Sequence, residues 1–129
     1  VLANQVKYVT GESEKMKNEL AIVTSPVHRQ IILNGLPLAP SAKAVIYWNN
    51  ETGQTYINSA ALPQVASNEQ FQLWAIVDGK PVDLGVVSKD TSFSIMKDVK
   101  NAQAFAITLE PLGGKPTPTL EKMYVVGNV

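Results

Sequence analysis

From Pro26 to the end of the chain, apolar side chains recur at every second position in short runs, and no stretch of helical period separates those runs. A period of two puts successive residues on opposite faces of an extended strand, so the pattern argues against a helical bundle and against alternating strand–helix folds. Val27, Ile31 and Leu33 alternate with His28, Gln30 and Asn34, and Ala44, Ile46 and Trp48 alternate with Val45 and Tyr47. Further strands are expected around Thr55–Ser59, Phe71–Val77, Val82–Val87, Phe93–Met96, Ala104–Leu109 and Tyr124–Val126. That makes roughly eight short strands with turn residues between them, which predicts an all-β fold, an antiparallel β-sandwich. Asp78-Gly79 lies between two of the runs and is the strongest hairpin signal in the chain. Trp74 and Ile76 make the first strand of that hairpin apolar on both faces, opposite Phe71, Leu73, Ala75 and Val77, so the hairpin is expected to be central. Leu73, Trp74, Ile76, Val86, Phe105, Ile107 and Leu109 are the expected buried residues.

Residues 1–25 follow a different rule. Leu2, Val6, Val9, Met16, Leu20 and Val23 fall at alternating steps of four and three, with Ser13 at the one missing seam position and Lys, Glu, Asn and Gln around them. Such a stripe predicts a helical stalk. Thr10-Gly11 interrupts it, at a cost of about 1 kcal/mol for the glycine, and Ser25-Pro26 ends it. With only about three heptads, two stalks are expected to pair weakly, as a homodimer at most. The domain division is therefore a stalk over 1–25 and a β-domain over 26–129. The start at Val1-Leu2, without Met, leads us to expect a processed protein or an excised piece of one.

Composition removes several functions. Eleven basic residues balance eleven acidic ones, which gives no support to nucleic acid or an anionic membrane surface as a partner. There is no cysteine, hence no disulfide, thiol nucleophile or thiolate metal site. Apolar runs such as Ala44–Trp48 stop at five residues, whereas a membrane-spanning helix needs about twenty.

Few residues offer reactive chemistry. Gly113-Gly114-Lys115 resembles a phosphate loop in composition, but such a loop needs a helix directly after it, and Pro116 and Pro118 forbid one. A turn followed by an extended linker is the better reading. His28 is the only histidine, and Val-His-Arg-Gln around it supplies neither a nucleophile nor companion ligands, so it reads as a polar strand residue. Asp78 is accounted for by its turn, Asp83 by the solvent side of its strand and Asp90 by a loop, which leaves no calcium-loop spacing. Trp48, Tyr47, Tyr56 and Trp74 would make a carbohydrate platform if they stood together on one exposed face; both tryptophans lie in two-sided apolar runs, where core positions are expected. No catalytic, cofactor or metal residue is assigned, no cofactor is expected, and the chain does not read as an enzyme.

Three stretches taken together carry a resemblance: VIYWNNETGQ at 45–54, ALPQVASNEQFQLWAIVDGKPVDLGVV at 61–87 and AFAITLEPLGGKPTPT at 104–119. Trp48, Asn49 and Gly53, then Leu62 and Pro63, then Phe71 to Trp74 with Asp78-Gly79, Pro81-Val82 and Gly85-Val86, and last Phe105 to Pro111 with Gly113-Gly114 and the two prolines, stand in this order. Over roughly residues 27 to 127 this resembles the C-terminal domain of the anti-sigma-K factor (RskA-type) family. The resemblance implies a single-pass protein of the bacterial cell membrane, with this domain extracytoplasmic. Its cytosolic part, absent from this chain, would hold a sigma factor, and site proteases would cut the protein to release it. Residues 1–25 would then be the stalk between membrane and β-domain. The alternative is a secreted or surface-attached module that binds carbohydrate or peptide.

Overall fold

The computed structural model of the chain describes residues 19–129, of which 19–24 are helical. The rest of the stalk expected over 1–25, with its pairing, lies outside the described residues. The Ser25 N–H closes back on the Ile22 carbonyl at 3.3 Å and the His28 N–H on the Ser25 carbonyl at 3.2 Å, which turns the chain into the first strand.

Each strand expected from the period of two is present. They are β1 (Arg29–Gly35), β2 (Lys43–Trp48), β3 (Thr55–Asn58), β4 (Glu69–Val77), β5 (Lys80–Val86), β6 (Phe93–Ile95), β7 (Ala104–Pro111) and β8 (Met123–Asn128). One 3-10 turn, Leu120–Lys122, precedes β8. All pairings are antiparallel, in the spatial order β5-β4-β7-β8-β1-β2-β3-β6.

The expectation of a sandwich needs correction here, because the ladder is continuous and the eight strands form one sheet. The joint that a sandwich would lack is between β8 and β1, where Asn34 pairs with Val126 and Gly35 with Val125. The Leu36 N–H extends it with a 2.9 Å bond to the Tyr124 carbonyl. A glycine allows this joint: a Cβ on Gly127 of β8 would run into the Ile32 carbonyl oxygen of β1. Only a residue without a side chain lets the backbones come so close.

The sheet curls into a half-barrel around one core. Trp48 on β2 meets Phe105 on β7 edge-to-face, with ring centroids 5.5 Å apart. Ile31, Leu33, Ile46 and Ile57 from one half pack in the same cluster as Leu73, Leu84, Ile107 and Val125 from the other. At the open side, the Lys97 N–H just after β6 donates to the Leu84 carbonyl on β5 at 3.0 Å, and Lys97 Nζ lies 3.3 Å from Asp83 Oδ2.

The Asp78-Gly79 hairpin forms, with φ of 52° and 74° as a two-residue turn of matching twist requires. It is not central: β5 is an edge strand, and β7, β8 and β1 hold the middle. Val82 is accordingly 38 % exposed, and Ile76 and Val86 are only half-buried. Leu73, Trp74, Phe105, Ile107 and Leu109 are buried as expected.

Replacing Gly127 by Ala should therefore lower stability by about 1–3 kcal/mol, the usual cost of overpacking a filled site. A fall in the urea midpoint with an unchanged slope would show it.

Candidate functional site

The outer face of β4 and β7 holds the most highly organised polar group among the described residues. The pairs Trp74↔Ala106 and Gln72↔Thr108 fix the register, so Gln72, Trp74, Thr108 and Glu110 share the face turned away from the core. All four are buried. The Trp74 indole N–H donates to Thr108 Oγ1 at 2.8 Å, and the Thr108 hydroxyl donates to Glu110 Oε2 at 2.6 Å. Thr119 completes the chain: its backbone N–H donates to Glu110 Oε2 at 2.7 Å and its hydroxyl to Glu110 Oε1 at 2.6 Å.

The cover over this face is the segment between Pro111 and Thr119. Gln72 binds it with both ends of its amide, accepting from the Lys115 N–H at 2.9 Å and donating to the Lys115 carbonyl at 2.9 Å. The same Nε2 group donates to Asp83 Oδ1 at 2.8 Å. Gly113 and Gly114 stand at φ of 92° and 84°, and a Cβ on Gly114 would lie 2.7 Å from Gln72 Oε1. The two glycines let the chain reverse and lie flat, and the prolines keep it extended. The segment expected to be a linker is thus a strap on the sheet, and the Lys115 N–H points at a glutamine rather than at an anion.

Burial alone would raise the Glu110 pKa. The hydrogen bonds from Thr108 and Thr119, with Lys115 nearby, outweigh it and hold the carboxyl below its ordinary range. A carboxylate so fully bonded is a poor general base and a good anchor. Sequence reasoning missed it. The signal was the spacing Thr108-x-Glu110 on the face opposite Ile107 and Leu109, directly before a Gly-Pro-rich segment that had to lie somewhere.

The residues weighed in the sequence separate in space. His28 Nε2 lies 3.0 Å from Gln54 Oε1, which requires the proton on Nε2, and its ring packs edge-on to Tyr56. Asp78 sits in the hairpin turn, Asp83 accepts from Gln72, the Gly85 N–H and Lys97, and Asp90 lines a cleft elsewhere. Among the described residues, no three His, Asp or Glu side chains come together to hold a metal. The aromatic platform is not assembled: the Trp48 indole donates to the Val99 carbonyl at 2.8 Å inside the core, and Trp74 is buried on the opposite face of the sheet with its indole bonded to Thr108. Tyr47 and Tyr56 do share an outer face with Phe93, but Tyr56 and Phe93 stack at 20° and spend their ring faces on each other.

The cleft beside Asp90 has a volume of about 380 Å³. It opens between the β3–β4 and β5–β6 connections, with Leu62, Val65 and Phe71 as its apolar lining and Gln64, Ser88 and Asp90 as polar lining. Lys89 Nζ donates to the Ala66 carbonyl at 3.0 Å and so ties its two walls together.

Glu110→Gln should lower stability at neutral pH by about 1.5–3 kcal/mol, because a charged acceptor of three hydrogen bonds is lost. The sign with pH follows from the lowered pKa: the contribution is complete above the unfolded value and disappears as pH falls through the folded one. Urea titrations from neutral to acid pH should show a shallower acid loss in the variant than in the parent.

Among the described residues, no helix is long and apolar enough to cross a membrane. No curated protein and no solved structure gives a significant match to the chain. The model of the family described as "Anti-sigma-K factor rskA, C-terminal" matches residues 1–122. The motif residues named above occupy the positions that build the sheet: Trp48 and Phe105 in the core, Gly53 and Asp78-Gly79 in turns, Glu110 and Gly114 at the strap. On this match, the chain belongs to the RskA C-terminal family of anti-sigma factors, whose members are regulatory proteins rather than enzymes.

Proposed function

We propose that the chain is the extracytoplasmic regulatory domain of a single-pass membrane anti-sigma factor, and that it governs proteolytic release of the sigma factor. The observation that carries this reading is the family match over nearly the whole chain. A sigma-binding part and a membrane helix would be supplied by other regions of the full-length protein. The fold supports a mechanical role. The segment before the domain leads, through the turn at 25–28, straight into β1, which is an interior strand held by β8 on one side and β2 on the other. Loosening the sheet would free β1 and with it the segment upstream. Proteases take their substrates extended, and a segment close to unfolding presents one readily. In this reading residues 1–25 are the membrane-proximal stalk, and Gly11 and Ser13 keep it marginal.

Gly127→Ala in the full-length protein, which weakens the β8–β1 joint, should raise both cleavage of the anti-sigma factor, read by immunoblot, and sigma-dependent transcription, read from a reporter. If both stay at the parental level while the purified domain has lost stability, the domain does not gate release.

A further inference from the structure

We infer that the cleft between the β3–β4 and β5–β6 connections is a binding site for an extended peptide that carries a basic side chain. Its volume of about 380 Å³ is near the lower end of the roughly 300–1,000 Å³ typical of ligand pockets. Three features define the ligand. Gln64 and Val65, which line the cleft, belong to no strand and make no backbone hydrogen bond among the described residues, which leaves their N–H and C=O groups able to pair with another main chain. Extended peptides bind through such unpaired backbone, and pockets for alternate side chains give the choice of sequence. Leu62, Val65 and Phe71 supply an apolar surface for one of those side chains. The Asp90 carboxylate, at the same cleft, has no partner among the described residues, because the neighbouring Lys89 is committed to the Ala66 and Ser67 carbonyls. A free carboxylate next to unpaired backbone selects a cation.

The walls are fixed before any ligand arrives. Lys89 spans the cleft, the Ser59 N–H donates to the Ser92 carbonyl at 2.8 Å, and Phe71 packs edge-on to Tyr124 with centroids 5.1 Å apart. Pre-formed walls cut the ordering cost of binding.

The inference concerns binding alone, so it can fail while the transcription experiment above succeeds, and the reverse. The test is an NMR titration of the chain with the N-acetylated, C-amidated peptide Leu-Lys-Leu-Lys, with Leu-Glu-Leu-Glu and with cellobiose. The basic peptide should give saturable shifts centred on the amides of Gln64, Val65, Ser88 and Asp90, and the acidic peptide should bind more weakly. Asp90→Asn should weaken the basic peptide roughly fivefold, as for a partly exposed ion pair. Absence of saturable shifts, shifts centred elsewhere, equal affinity of Asp90→Asn, or a response of the cleft amides to cellobiose instead of peptide would each overturn the assignment.

Discussion

The pairing of β4 with β7 is the constraint on which the rest of the structure depends. It is the longest ladder in the sheet, running in unbroken register from Glu69↔Pro111 to Ile76↔Ala104, and it is covered on both sides. Toward the core it presents Leu73, Ala75, Phe105 and Ile107; away from it, Gln72, Trp74, Thr108 and Glu110. A sheet covered on two sides needs a second layer. The strap between Pro111 and Thr119 is that layer. Its backbone lacks a ladder, so side chains must hold it, and burying those polar groups is tolerable only because each finds a partner. Glu110 is the hub of this arrangement.

The second constraint is closure. An open eight-stranded sheet would leave two free edges and an uncovered apolar face, both hazards for association. Curling brings the face of β1, β2 and β3 against that of β4, β5 and β7, and the Lys97–Leu84 bond brings the two edges near each other. Pro81 on β5 and the bulge at Gly85, whose φ is 106°, further blunt the edge that remains. The cleft at Asp90 lies where this closure leaves the β3–β4 and β5–β6 connections side by side, so the site follows from the topology rather than from any one motif.

Much of this was legible in the sequence. Strand positions follow from alternation, which is local, and the Asp78-Gly79 turn follows from its need for positive φ. What alternation does not encode is which strands meet. The β8–β1 joint, which converts two expected sheets into one, rests on Gly127, and in the sequence a glycine in a strand reads as weakness before it reads as close approach. Trp74 and Ile76 indicated correctly that β4 is buried on both faces. The error lay in reading a strand apolar on both faces as a central position for the whole hairpin, whereas β5 is an edge strand. Among the candidate site residues, His28 and the three aspartates lie apart in the fold, and the sequence could not reveal Glu110, whose partner Thr119 is brought to it only by the fold.

The central claim is that strap, buried carboxylate and sheet form one cooperative unit. Hydrogen exchange at the two indole N–H groups, followed by NMR on the intact chain at neutral pH, tests it most directly. Trp48 lies in the core and bonds Val99; Trp74 bonds Thr108, which Glu110 links to the strap at Thr119. If the strap opens only when the sheet unfolds, both indoles exchange at the rate set by global unfolding, and the two rates agree within a few fold. If Trp74 exchanges orders of magnitude faster than Trp48, the strap opens on its own and Glu110 does not bind it into the fold.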